Sequence, residues 1–163
     1  MINGIAMMYT TLAKQVEELM KEESWHISLF ANVSALLFET MENINWAGFY
    51  IVRDGKLLLG PFQGKVACIH IAKGRGVCGT AWDTDETVLV PDVHQFPGHI
   101  ACDSASRSEI VIPVHRDGEV FAVLDIDSPA AERFGEEEKE GLEQIVKCIE
   151  AGMAHTEMAQ TQP

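Results

Sequence analysis

The polar and apolar positions of the chain change period twice. In the N-terminal part, apolar Trp25, Phe30, Val33, Leu36 and Leu37 recur at helical intervals and fall on one helix face. Ser24 stands where an N-cap is expected. An earlier helix over Tyr9–Lys21 is predicted from a weaker periodicity. From Trp46 the period shortens to alternation. Trp46–Arg53 and Lys56–Phe62 flank Asp54-Gly55, and Glu109–His115 and Glu119–Asp127 flank Asp117-Gly118. Asp-Gly supplies the positive φ values of a primed turn, so each set reads as a hairpin.

Between the hairpins, Lys65–Ala72 reads as a further strand and Thr87–Val90 as a short one ended by Pro91. Gly74, Gly76 and Gly79 introduce a short helix near Val77–Thr84. Pro91–Ser106 holds two prolines, a glycine and no period; irregular stretches of that length inside a compact domain are commonly functional. Helical spacing returns in Gly135–Ala154, with the stripe Leu142, Ile145, Val146, Ile149 and Met153. Its Glu136–Glu140 run reads as a solvated face in the first turns, where negative charge suits the helix dipole. These elements predict an α+β fold: an antiparallel sheet of five or six strands, bracketed by N- and C-terminal helices gathered on one side.

The chain has 163 residues, which suits one domain spanning 1–163, with 155–163 expected to fray. Acidic residues outnumber basic ones by 25 to 12, a net charge of −13. Such a body repels phosphate backbones and anionic lipid, which argues against nucleic-acid and membrane roles. No run approaches the roughly 18 apolar residues that span a bilayer, and the first residues lack a secretory pattern. A cytoplasmic location is therefore expected, where lasting disulfides are unusual. The outer helices offer a surface for a homodimer.

Against that background four cysteines, Cys68, Cys78, Cys102 and Cys148, are packing, metal ligands or chemistry. His70, His94 and His99 lie near them in sequence, but no CxxC or HxxxH pair exists, so no metal site is expected. Cys68, between Ala67 and Ile69, reads as a small buried hydrophobe in a strand. Cys148 is off the stripe of the last helix and receives no role. Cys102 sits in the long irregular stretch, with Arg107 nearby as a cation that would favour a thiolate.

Asp125 and Asp127 are two apart in a strand and share a face, with Leu124 and Ile126 on the other. Glu109 opens the neighbouring hairpin strand. The three are either solvated edge residues or a polar cluster whose crowding raises the pKa of its members. Trp46 and Tyr50 also share a face, as core packing or as the wall of a ligand site in which Gly48 leaves room. Gly74-Arg75-Gly76-Val77-Cys78-Gly79 matches neither a phosphate loop nor a dinucleotide fingerprint and reads as a tight turn.

Longer motifs are more specific. Trp46-Ala47-Gly48-Phe49-Tyr50, Leu59-Gly60-Pro61-Phe62-Gln63-Gly64, Gly76-Val77-Cys78-Gly79-Thr80-Ala81, Pro91-Asp92-Val93, Phe96-Pro97-Gly98-His99-Ile100-Ala101-Cys102-Asp103 and Leu124-Asp125-Ile126-Asp127-Ser128 resemble the free methionine-(R)-sulfoxide reductases, which are single-GAF-domain enzymes. The resemblance covers about residues 5–150. It implies a GAF-type fold, with Cys102 as nucleophile, Cys68 as resolving thiol and Cys78 as auxiliary thiol. It also implies a substrate pocket of Trp46, Tyr50, Glu109, Asp125 and Asp127. The activity implied is reduction of free L-methionine (R)-sulfoxide through a sulfenic acid and an intramolecular disulfide. The resemblance further implies no bound cofactor and thioredoxin as the external reductant. The competing expectation is a non-catalytic GAF module that senses a small ligand.

Overall fold

In this computed structural model the structure describes residues 3–23, 25–98 and 105–160, the last six by their backbone alone. Helix α1 (Gly4–Glu22) starts where the Asn3 side chain accepts the Ala6 N–H at 2.8 Å. Helix α2 spans His26–Thr40. Then come β1 (Trp46–Arg53), β2 (Lys56–Gly64), a two-residue β3 (His70–Ile71), α3 (Gly76–Thr84) and β4 (Val88–Val90). A 3-10 turn over Val93–Gln95 precedes β5 (Ser108–Arg116), β6 (Glu119–Ser128) and α4 (Glu136–Gln160). The strands form one antiparallel sheet in the order β3-β2-β1-β6-β5-β4. The fold is α+β, as the alternation and its flanking helices predict.

Both Asp-Gly hairpins form. Asp54 and Gly55 have φ of 53° and 76°, and Asp117 and Gly118 have 54° and 79°, the double positive φ of a type I′ turn. Alternation along the strands then sorts side chains onto two faces. Ala47, Phe49, Ile110, Ile112, Leu124 and Ile126 face α1, α2 and α4 in the larger core. There the Phe30 and Phe49 rings stack with centroids 4.0 Å apart. The α4 stripe, Leu142, Ile145, Val146, Ile149 and Met153, is buried in the same cluster.

Four expectations need correction. The helices are not all on one side: α3 packs on the opposite face, where Val77, Cys78 and Ala81 join Trp46, Tyr50, Val111 and Val123. Trp25 is not on the buried stripe; it occupies the N-cap position of α2 and is 59% exposed. Ser24, the expected cap, lies outside the described residues. Only His70–Ile71 of the expected Lys65–Ala72 strand pairs with β2, because side chains claim carbonyls of the segment before it. Cys148, expected off the buried stripe, is buried all the same: it belongs to the larger core and its Sγ lies 3.6 Å from Glu17 Oε1 on α1. Helix α4 continues past Ala154 to Gln160.

Among the described residues no helix is long and apolar enough to cross a membrane.

Candidate active site

Strand register assembles three carboxylates on the α3 face. Asp127 of β6 pairs with Trp46 of β1 on one side and Glu109 of β5 on the other. The next same-face row runs Gly48, Asp125, Val111. Residues far apart in sequence therefore meet in two adjacent rows of three central strands. Trp46, Tyr50, Cys78, Glu109, Asp125 and Asp127 line one cavity of about 60 Å³. Glu109 and Asp125 are buried, at 6% exposure each, and Asp127 is half-buried, so the solvated-edge alternative fails for the first two.

Burial, joined by the charges of Asp125 and Asp127 and a hydrogen bond with Asp125, pushes the Glu109 carboxyl well above the usual range. Burial also lifts Asp125, to about 6, with hydrogen bonds from Glu109 and Cys78 pulling partly the other way. Both carboxyls are raised, and one proton held between them satisfies their mutual hydrogen bond. The Cys78 thiol is buried and raised in turn, first by desolvation and then by the neighbouring carboxylates. It is therefore a protonated donor to Asp125 and a poor nucleophile. Asp125 Oδ1 has no hydrogen-bond partner among the described residues, a buried acceptor left for something else to satisfy.

The aromatic wall is built by stacking. Trp46 lies between Tyr50 (5.9 Å, 23°) and Phe62 (5.1 Å, 14°). Gly48 does not leave room for a ligand, contrary to expectation: a Cβ there would lie 2.3 Å from Phe62 Cβ and 2.9 Å from the Trp46 ring. Phe62 and Trp46 fill that space. The polar ends of the wall reach outward. Trp46 Nε1 donates to the Lys65 carbonyl at 3.1 Å, and Tyr50 OH donates to the Cys68 carbonyl at 2.9 Å. These bonds pin the irregular segment carrying Cys68 at the pocket mouth, beside Val66 and Ala67 of the lining. Cys68 is disulfide-bonded and half-buried, not a core hydrophobe in a strand. Cys78 and Cys148 are free thiols.

A family model described as "GAF domain" matches residues 30–152. Free methionine-R-sulfoxide reductase of Escherichia coli (strain K12) is 48% identical over 149 residues, which is 91% of this chain and 90% of that protein. The chain belongs to the free methionine-(R)-sulfoxide reductase family. Two solved structures of such reductases superpose on it. One, from Neisseria meningitidis in complex with its substrate, has a TM-score of 0.91 at 39% identity, covering 98% of this chain and 96% of that one. The other, from Staphylococcus aureus in complex with substrate, has a TM-score of 0.85 at 50% identity, covering 89% and 95%. This is a family of oxidoreductases.

For a chain of the reductase family, the described residues place six of the eight expected site residues on one pocket and Cys68 at its mouth. Cys102 lies outside the described residues, as does His99. Its expected cation, Arg107, pairs with Asp92 at 3.7 Å. His70 and His94 are exposed and apart from the pocket lining. The sequence reading missed Arg75, Gly76 and Val77, which line the pocket at the start of α3. There the first N–H groups of the helix have no intrahelical partner. The signal was present as a glycine-rich turn entering a helix, but it matched no phosphate motif. Gly79 lets that helix approach: a Cβ would stand 2.5 Å from the Ala72 carbonyl oxygen.

Proposed function

We propose that the protein reduces free L-methionine (R)-sulfoxide to methionine. The observation that carries this reading is the buried Glu109–Asp125 pair facing the Trp46 wall, in one pocket with a disulfide-forming cysteine at its mouth. The names and substrate complexes of the relatives support it. The free amino acid is a zwitterion. Its ammonium meets Asp127 and the orphaned Oδ1 of Asp125; its carboxylate meets Arg75 and the N-terminal N–H groups of α3. A residue within a peptide has neither charge, so both ends of the pocket select against it. Trp46 lies along the methyl-sulfoxide end.

The chemistry then uses two thiols and a stored proton. The Cys102 thiolate attacks the sulfoxide sulfur while the Glu109–Asp125 pair, holding a proton that burial keeps on near neutral pH, protonates the departing oxygen. The oxygen departs as water and leaves Cys102 bonded to a sulfonium; a water then attacks the Cys102 sulfur, the S–S bond breaks, methionine leaves and Cys102 becomes a sulfenic acid. Cys68 condenses with it, forming the Cys68–Cys102 disulfide and releasing water. A thioredoxin-type dithiol in a reducing compartment restores both thiols by exchange, with no bound cofactor. Cys78, buried and protonated, keeps Asp125 oriented.

The test is turnover of each free methionine sulfoxide epimer with thioredoxin, thioredoxin reductase and NADPH. Only the R form is expected to react, with activity lost in Cys102→Ser. Cys68→Ser should release one methionine per site and then recycle poorly. The mechanism is falsified if Cys102→Ser keeps full single-turnover activity. Tight binding of the R form without any turnover would instead favour the sensing module.

A further inference from the structure

The pocket brings together a combination of groups that its proposed substrate does not require. Among the described residues, one group of ligand-type side chains has its donor atoms within 4.8 Å of one another: Cys78, Glu109 and Asp125, all buried. They come from α3, β5 and β6 and have no metal-motif spacing, so no sequence pattern could reveal them. A thiol and two carboxylates converge here with no cation among the described residues of the group. A cation of sufficient charge would relieve that crowding more fully than a proton does. A second observation marks the place as unfinished: Asp125 is 6% exposed, yet its Oδ1 has no hydrogen-bond partner among the described residues.

We infer that Cys78, Glu109 and Asp125 form a binding site for a zinc-type divalent cation, which closes the pocket when it binds. The donor set narrows the choice of ion. Magnesium and calcium take oxygen donors and would leave the sulfur unused, whereas zinc accepts sulfur and carboxylate together. Zinc holds sulfur at about 2.3 Å and oxygen at about 2.0 Å, so one sulfur and two oxygens around it stand about 3.3–3.5 Å apart. The widest pair here need close by at most about 1.5 Å to reach that spacing. Asp125 already lies within hydrogen-bonding reach of both partners. Binding replaces the protons of the thiol and of the carboxyl pair and releases them to solvent, leaving the redox state of every sulfur unchanged. The ion occupies the corner where the reductase reading places the ammonium, so it acts as an inhibitor and not as a cofactor.

The disulfide form suits the test, because Cys68 is then tied up and the thiols among the described residues are Cys78 and Cys148. Cobalt(II) serves as the visible probe, through its thiolate charge-transfer band. Titration is expected to raise that band to saturation at one ion per chain and to lose it on adding zinc. The band should vanish in Cys78→Ser, persist in Cys148→Ser, and need higher cobalt in Asp125→Asn. No band, or a band that survives Cys78→Ser, overturns the site. Should Cys78→Ser fold poorly, Glu109→Gln and Asp125→Asn carry the test: cobalt midpoints unchanged in both would equally overturn it. Free methionine is expected to raise the cobalt midpoint. A saturating, Cys78-dependent band that methionine leaves untouched upholds the metal site and counts against the substrate placement.

Discussion

Asp125→Asn separates the stability of the protein from its chemistry, and its signature is a pH dependence. In the folded chain Asp125 titrates at about 6, against an ordinary 3.8, chiefly because it is buried. At about 1.4 kcal/mol per pH unit, that difference is about 3 kcal/mol of folding free energy given up at neutral pH. The direction follows from proton counts. Between 3.8 and about 6 the folded state keeps a proton that the unfolded state has lost. Raising the pH through that window therefore favours unfolding, and the loss is complete above it. Asparagine has no charge to desolvate. Its amide also needs partners, so part of the gain is returned as an unmet hydrogen bond of about 1–3 kcal/mol, but that cost does not vary with pH. Urea unfolding of both proteins should show the variant gaining on the parent by about 2–3 kcal/mol between pH 4 and pH 8. Glu109, raised as well, loses a neighbouring charge in the variant and pushes the difference the same way. Reductase turnover of the variant should fall at every pH. A stability difference that stays constant from pH 4 to pH 8 would refute the assignment of Asp125 as a carboxylate held against its own charge.

Two further expectations concern the frame. Gly48→Ala places a Cβ 2.3 Å from Phe62 Cβ and 2.7 Å from Phe62 Cα, so β1 and β2 must separate. A loss of about 1–3 kcal/mol in urea unfolding is expected, and an unchanged midpoint would show that the strands have slack there. His115 bridges Glu150 Oε2 at 2.7 Å and Asp85 Oδ1 at 2.6 Å, tying β5 to α4 and to the end of α3. Burial lowers its pKa, but the hydrogen bonds and charges of those two carboxylates outweigh that and leave it raised. Its ring protons should titrate above 6.5 by NMR and move back down in Asp85→Asn, and a midpoint at or below 6.5 would contradict the bridge. Because the folded pKa is the higher one, the stability it contributes is complete below 6.5 and fades as pH rises through the folded midpoint.

Local chemistry made much of the fold readable. Asp-Gly fixes its own φ angles, and the long α4 stripe has no competing period. What could not be read depends on which partner claims a backbone group. Lys65–Ala72 reads like a strand, but Trp46 and Tyr50 take the Lys65 and Cys68 carbonyls, and a side chain's reach leaves no periodic trace. Trp25 follows the apolar spacing yet stands outside the helix as its cap position, because periodicity does not say where the first turn begins. In the site, the shared face of Asp125 and Asp127 was legible from a two-residue step. The burial of Asp125 with Glu109 and Cys78 was not, since it depends on β5 lying beside β6 and α3 covering that face. Gly48 misled for the same reason: the space it vacates belongs to Phe62 on the neighbouring strand.

The interleaving of core and pocket along β1, β5 and β6 limits how such a protein can vary. On β6, Leu124 and Ile126 pack under the helices while Asp125, between them, and Asp127 serve the pocket. One inserted residue in that strand would turn carboxylates into the oily layer and aliphatic chains into the pocket. Lineages of this fold can therefore exchange side chains at alternate positions but cannot gain or lose length there. Additions should collect at Asp54-Gly55 and Asp117-Gly118, where a longer turn alters neither layer. Anyone seeking to retarget the pocket inherits the same grammar: substitute within the strands, and lengthen only at the turns.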